Sequence, residues 1–194
     1  MHTPDAFKVS DEKEIFSFIK TNAFGQLISF VEGRPCVSHL PFLLSQDKKS
    51  LICHLAKANP QWENIEAQEV LITFQGAHGY VSPAWYKTKG VPTWNYQAVH
   101  IYGKAEIITE AEKLAQIVEE LTNKYESNRK KPWKPEYREA MLNAIIGLKI
   151  DITEIQAQYK LSQNRSKEDQ QQVINENQKI GETALAKAMK KSNE

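Results

Sequence analysis

No stretch of the chain approaches the run of about 18 apolar residues that a membrane-spanning helix needs. The opening residues, MHTPDAFKVSDEKE, hold no apolar segment of the kind a secretory signal requires. Cysteine is scarce, with only Cys36 and Cys53, both in apolar strand-like runs. Two buried free thiols in a cytoplasmic protein are the expectation, not a disulfide. Charge of either sign is not in excess: 25 Lys and Arg stand against 24 Asp and Glu, for a net +1. That speaks against a surface given over to nucleic acid, although DNA contact through a local basic patch stays open. C-x-x-C and H-E-x-x-H are missing, so zinc has no local signature. G-x-S-x-G, G-x-G-x-x-G and a Walker loop are also missing, which removes the usual marks of a serine nucleophile, a dinucleotide site and a triphosphate site.

The residues present, 41% of them hydrophobic, are enough for one domain with a real core. Ser10 followed by DEKEIFSFIK predicts a short amphipathic helix with Ser10 as its N-cap. From Gly25 the period changes to two. Residues 26–31 and 34–40 predict a hairpin around Glu32-Gly33. Pro41 is expected to break the ladder, with strands following at 42–44 and 51–56. Asn59 and Pro60 are N-cap and N1 signals for a helix to about Ala67. Strands are expected at 70–75 and 93–108, the second bent near Gly103. Thr109 with Glu112 reads as a capping box for a helix to about Tyr125, with Leu114, Ile117, Val118 and Leu121 as its buried stripe. Pro135 should open another helix with Met141, Leu142 and Ile145 on its apolar side. In 148–161 the alternation reverses parity near Thr153-Glu154, as a β-bulge requires. From Ser166 the composition turns to Lys, Glu, Gln and Asn, and Ser166 with Asp169 can cap a helix through Gln178. The tail beyond it, interrupted at Gly181, is expected to pack on a partner or to fray. Domain bounds of 1–165 and 166–194 result, and hairpins with inserted helices predict a mainly β, small antiparallel barrel with peripheral helices.

One stretch is unusual. GYVSPAWYKTKGVPTWNYQAVHIYGK, residues 79–104, gathers Tyr80, Trp85, Tyr86, Trp94, Tyr96 and Tyr102. Tyr and Trp join an apolar face to a polar handle, which suits a wall that stacks a planar ligand or meets a partner; a large aromatic core is the competing reading. Lys57, just before the Asn59-Pro60 helix start, is a candidate for phosphate, because free N–H groups and the helix dipole would add to its charge. His54, His78 and His100 are candidate haem ligands, since an axial histidine needs no motif. Arg129 to Lys131 and Lys187 to Lys191 are the basic clusters, and solvated surface is their default reading.

Five motifs carry a family resemblance. HLPFLL (39–44), HLAKANPQW (54–62), GYVSPAWY (79–86), VPTWNYQAVHIYGK (91–104) and KLSQNR (160–165) resemble, in order and over nearly the whole chain, the PaiB-type FMN-binding negative transcriptional regulators. The resemblance implies a six-stranded split barrel related to pyridoxamine-phosphate oxidases, a homodimer, FMN at the subunit interface, and repression of genes for sporulation and secreted degradative enzymes. It places FMN against Ser38, His39, Leu40, Pro41 and Leu55, with Lys57, Asn59 and Gln61 toward the phosphate and Trp94, Asn95 and Tyr96 along the ring. The oxidases hold substrate and flavin with an Arg-Leu-His-Asp-Arg run. Here the run is Lys160-Leu161-Ser162-Gln163-Asn164, so Lys160 and Asn164 are its remaining polar ends, and oxidase activity on pyridoxamine phosphate is not expected. A flavin-dependent oxidoreductase or flavin reductase, and a haem-binding protein on the same barrel, are the alternatives; no catalytic residue is assigned.

Overall fold

Strand signals dominate the chain, and strands dominate the fold. A computed structural model describes residues 1–134, 137 and 139–192. Seven strands run in the order β1 (Phe24–Val31), β2 (Arg34–Pro41), β3 (Leu43–Leu44), β4 (Ser50–Ala56), β5 (Glu69–Val81), β6 (Thr93–Ile108) and β7 (Ile145–Lys160). Helices α1 (Glu12–Thr21), α2 (Ala111–Glu126), α3 (Glu139–Leu142), α4 (Lys167–Lys179) and α5 (Thr183–Lys191) accompany them. The strands form one sheet ordered β2-β1-β5-β6-β7-β4-β3. β1 pairs antiparallel with β2 and β5, and β4 with β3 and β7.

The expectation of six strands closing a barrel is corrected to seven in a sheet left open, with β2 and β3 at its edges. Cα atoms of β2 and β4 come within 8 Å, but no ladder joins the two strands. Phe42 accounts for the extra strand. Its N–H leaves the ladder to meet the Ala23 carbonyl at 2.8 Å. Its ring drops into the core edge-on to Phe74, 5.5 Å away, and separates β2 from β3. Pro41 does not break the ladder; it is the last residue of β2, opposite Phe24. The end of an edge strand tolerates a residue without an N–H.

The chain divides into two compact units. One comprises Met1–Phe18, Gln75–Val99 and Gln156–Glu194, the other Ile19–Phe74 and His100–Ile155. The second unit holds parts of all seven strands. Its β1/β2 hairpin turns on Glu32 and Gly33, both at positive φ (49° and 76°), as a two-residue turn between right-twisted strands demands. α2 buries Leu114, Ile117, Val118 and Leu121, the stripe read from the sequence. It lies over β7 at Gly147, where an added Cβ would stand 3.0 Å from both Ile117 and Leu114. The expected capping box is not formed, because Glu110 is the N-cap and its carboxylate accepts the Thr109 N–H. α3 is one turn; it buries Leu142 and leaves Met141 exposed, while Ile145 opens β7. Pro135, expected to open that helix, lies outside the described residues.

The first unit holds the far ends of β5, β6 and β7 with α4 and α5. The N-cap of α1 is Asp11, not Ser10: Asp11 Oδ1 accepts the Lys13 N–H at 2.9 Å. Burial along β7 changes parity as expected. Ile146, Leu148 and Ile150 are buried, Thr153 and Glu154 are both exposed, and Ala157, Tyr159 and Leu161 are buried beyond them. Ser166 caps α4 by accepting the Asp169 N–H. The tail neither frays through these residues nor waits for a partner: Val173, Ile174, Leu185, Ala186 and Met189 are buried within the chain. Gly79 makes room for Leu185, whose methyl would stand 2.8 Å from an added Cβ.

Candidate functional site

The residues assigned from the sequence fall into two sets, one on each unit. On the second unit, Ser38, Asn59 and Gln61 come together, though not on a helix. Asn59 caps as expected, its side chain accepting the Gln61 N–H at 3.0 Å. Beyond this cap the chain forms two 3-10 turns, Pro60–Trp62 and Ile65–Ala67, in place of the expected helix to Ala67. A single turn aligns too few peptide dipoles for a helix field, so the anion argument at this point loses that contribution.

The three polar side chains satisfy one another. Ser38 Oγ donates to Gln61 Oε1 at 2.6 Å, and Asn59 Nδ2 donates to Ser38 Oγ at 2.8 Å. Gln61 Nε2 donates to the carbonyls of Leu27 and Cys36 at 3.1 and 3.2 Å. Gln61 is 1% exposed and ties this turn to β1 and β2. Free donors at this locus are therefore the second Asn59 Nδ2 hydrogen and the Lys57 ammonium, which is exposed and meets no polar partner among the described residues. His39, also exposed, stacks on Phe24 with ring centroids 6.3 Å apart. Leu40 and Pro41 are half-buried, and Leu55 is buried beside β7.

The aromatic stretch, in the first unit up to Val99 and in the second from His100, is not ordinary core. Of its six Tyr and Trp residues only Tyr86 is buried. Tyr80 and Trp94 are 44% and 56% exposed and meet edge-on at 6.2 Å. Tyr96 is half-buried. Asn95 is fully buried. Its Nδ2 donates to Ser162 Oγ at 2.9 Å, and the Met189 sulfur lies 3.5 Å from the same atom. Lys160 donates to Thr93 Oγ1.

Around these residues is a pocket of about 200 Å³, lined by Phe7, Tyr86, Val91, Thr93, Asn95, Lys160, Ser162, Asn164 and Arg165. The sequence reading placed Asn95, Lys160 and Asn164 in a site and counted Tyr86 in the aromatic wall, but gave Ser162 and Arg165 no role. Arg165 lies one residue past the oxidase-like run, and its guanidinium stacks on the Tyr86 ring at 4.4 Å. That extra position was the available signal. Gly90 is held close by the same ring; a Cβ there would stand 2.3 Å from Tyr86 Cδ2. Ser82 is a turn cap, accepting the Ala84 N–H at 3.2 Å, which explains its place before Pro83 without nucleophilic chemistry.

The loop from Tyr86 to Gly90 is fastened by Asp169 of α4, which is buried. Asp169 accepts the Thr88 hydroxyl at 2.6 Å and the Lys87 N–H at 2.8 Å. These bonds, Thr88 first, lower its carboxyl below the ordinary value of 3.8. A lowered folded-state pKa contributes stability above the unfolded value and loses it as pH falls through the folded one. The fastening should therefore be complete at neutral pH and lost progressively below about pH 4. Chemical unfolding at pH 7 and pH 3 should show a smaller acid-induced loss in Asp169→Asn than in the native chain.

The other titratable groups are dispersed. His54 on β4 is half-buried with Nδ1 unpartnered, and burial lowers its pKa. His100 is likewise lowered by burial, and exposed His78 sits 3.1 Å from the Gly76 carbonyl. Cys53 is buried, which pushes its thiol up, whereas Cys36 is only half-buried, against the expectation of two buried thiols. Among the described residues no group of three or more His, Cys, Asp or Glu could hold a metal ion. No helix of the described residues is long and apolar enough to cross a membrane.

The family model described as "Putative FMN-binding domain" matches residues 1–154. The chain belongs to that family. "Protease synthase and sporulation protein PAI 2" of Bacillus subtilis (strain 168) is 43% identical over 182 residues, covering 90% of this chain and 87% of that one, so the family is the PaiB type. The fold is shared with solved flavoproteins of much lower identity. The flavocytochrome Anf3 from Azotobacter vinelandii superposes with a TM-score of 0.69 at 15% identity, over 87% of this chain and 77% of the other. The FAD and heme binding protein from Mycobacterium smegmatis gives 0.66 at 14% identity, over 84% and 78%.

Proposed function

We propose that this PaiB-type chain binds FMN and acts in the cytoplasm as a homodimeric transcriptional regulator, with residues 1–165 as the flavin-binding part and 166–194 as its helical tail. The observation that carries the flavin reading is the family match over residues 1–154 on a fold shared with flavoproteins. The donor set of the second unit agrees with a phosphate: the Lys57 ammonium is exposed with no polar partner among the described residues, and Asn59 keeps one amide hydrogen unused. Bound FMN would supply redox chemistry; the chain's own residues would bind it, orient it and exclude water. The regulatory half of the reading follows the relative whose name ties it to protease synthesis and sporulation.

The dimer rests on the β1/β2 hairpin. β2 is an edge strand with no buried residue, and Phe24, Phe30 and Val37 are 65%, 55% and 48% exposed. An unpaired edge carrying apolar side chains is the kind of surface a second copy covers. The basic residues for DNA contact would be exposed Lys187, Lys190 and Lys191 of α5.

A haem reading has one observation in its favour. His54 is half-buried, its Nδ1 is buried and meets no partner among the described residues, and burial shifts its imidazole toward the neutral form that iron takes. The absorbance spectrum of the purified protein separates the two readings. Flavin bands in the blue and near ultraviolet support FMN, and an intense Soret band after haem addition supports haem instead.

A further inference from the structure

We propose that the C-terminal end of α2 and the loop after it, residues 124–134, form a binding surface for single-stranded nucleic acid. The stretch reads KYESNRKKPWK and carries five cations against one carboxylate. A charge run of this kind is by default solvated surface. Three features of the fold go further. The first is that the one carboxylate is already spent. Glu126 Oε1 pairs with Arg129 Nε at 3.0 Å, and Oε2 accepts the Trp133 N–H at 3.0 Å. One side chain thus ties both ends of the loop. Lys130, Lys131 and Lys134 are exposed and form no ion pair among the described residues.

The second feature is that the uncompensated charge reaches back into α2. Lys124 is half-buried, with its ammonium 3.4 Å from the Phe42 carbonyl oxygen and 5.5 Å from the centre of the Tyr125 ring. Burial, and then the positive charge of nearby Lys20, lower its pKa. Like charges held near each other without a counter-ion gain from an incoming anion. The third is aromatic. Tyr125 and Trp133 are 50% and 55% exposed. Trp133 meets Tyr137 edge-on at 6.1 Å. The Tyr137 hydroxyl is fixed on α2: it donates to the Val118 carbonyl at 3.2 Å and lies 2.6 Å from Thr122 Oγ1. The indole is therefore held in place and still open to solvent.

Cations that track a phosphate backbone and aromatic faces on which bases stack are the two parts of a single-strand site. Paired bases in a duplex keep their faces covered, so the aromatic faces favour the single strand. The stretch has no Leu, Ile, Val, Met or Phe, the side chains that a lipid surface would take up, which speaks against an anionic membrane. The surface belongs to the second unit and shares no residue with the flavin donors, while the α5 lysines belong to the first unit. It stands whether or not the flavin and regulatory readings do.

The test uses the full chain and a fluorescein-labelled oligothymidylate, read by anisotropy at low and at physiological salt. A duplex of the same length and phosphatidylglycerol vesicles are the rival ligands. Saturable binding of the single strand is expected, about tenfold tighter than binding of the duplex, with quenching of tryptophan fluorescence. Trp133→Ala should weaken it about tenfold and Trp133→Phe much less. The double variant Lys130→Gln, Lys131→Gln should reduce the salt slope by about 0.7 for each lysine removed. Thermal melts establish that each variant is folded. No saturable binding of the single strand overturns the proposal. So does equal affinity for the duplex, equally tight binding to the vesicles, or a single-strand affinity that the Trp133 and lysine variants leave unchanged.

Discussion

Gln61→Glu should destabilise the protein by about 3–5 kcal/mol at neutral pH, the usual cost of an unpaired buried charge. The Gln61 amide is 1% exposed and aims both Nε2 hydrogens at carbonyl oxygens, those of Leu27 and Cys36. A carboxylate would turn one oxygen toward both of them, while its other oxygen could still accept the Ser38 hydroxyl. Burial raises such a carboxyl above its unfolded value of about 4.3, so the penalty should grow as pH rises through that range and shrink below it. Gln61→Leu removes the same bonds without adding charge and should cost about 2–3 kcal/mol at every pH, through the carbonyls it strands. Urea midpoints for both variants at pH 4 and pH 7 separate the charge from the lost hydrogen bonds. If the two variants behave alike at both pH values, the amide is not held as described.

Gly103→Ala is the second large effect, at about 2–3 kcal/mol. A Cβ on Gly103 would stand 2.6 Å from the Asp151 carbonyl oxygen and 2.7 Å from Ile150 Cγ2. The backbone it meets cannot easily retreat. Asp151 is paired with Ser50 across the β4/β7 ladder, and Ser50 Oγ donates to its carboxylate at 2.8 Å. Lys104→Ala, one residue away and exposed, should stay within about 0.5 kcal/mol. Denaturant unfolding with an unchanged slope would assign the Gly103 effect to the folded state.

The strands were legible because their signal is local. Alternation and β-branched content marked all seven, but the strand expected at 70–75, with a turn at 76–79, runs on as β5 to Val81. The change of parity at Thr153-Glu154 emerged as a change in which residues of β7 are buried. The caps were half legible. Ser166 caps α4 as its spacing says, but Asn59-Pro60 begins an α-helix and a 3-10 turn with the same chemistry. The outcome there was decided by distant partners: Gln61 is drawn to carbonyls of β1 and β2, and Trp62 Nε1 to the Lys57 carbonyl at 2.9 Å. At Thr109 a neighbour intervened, since Glu110 takes the N–H that Glu112 was expected to cap.

The candidate site was legible in parts and not as an arrangement. Lys160 and Asn164 came from a motif, and Asn95 from the aromatic stretch. Arg165 and Tyr86 join them only because residues near positions 7, 86–95 and 160–165 converge in the fold, a long-range fact that no local pattern encodes. In the second unit, a different convergence, of β1, β2 and the turn at Pro60, changed the meaning of Ser38, Asn59 and Gln61. Taken singly they are donors, but in the fold they bond to one another and leave Lys57 as the free cation of that set.

The claim on which the regulatory reading depends is that the chain binds FMN. Titration of the purified, flavin-stripped full chain with FMN, followed by flavin fluorescence and absorbance, tests it directly. The expected result is saturable uptake of one FMN per chain with a shifted, structured flavin band, and weaker uptake in Lys57→Ala. A chain that leaves the spectrum of FMN unchanged at high micromolar concentration would contradict it.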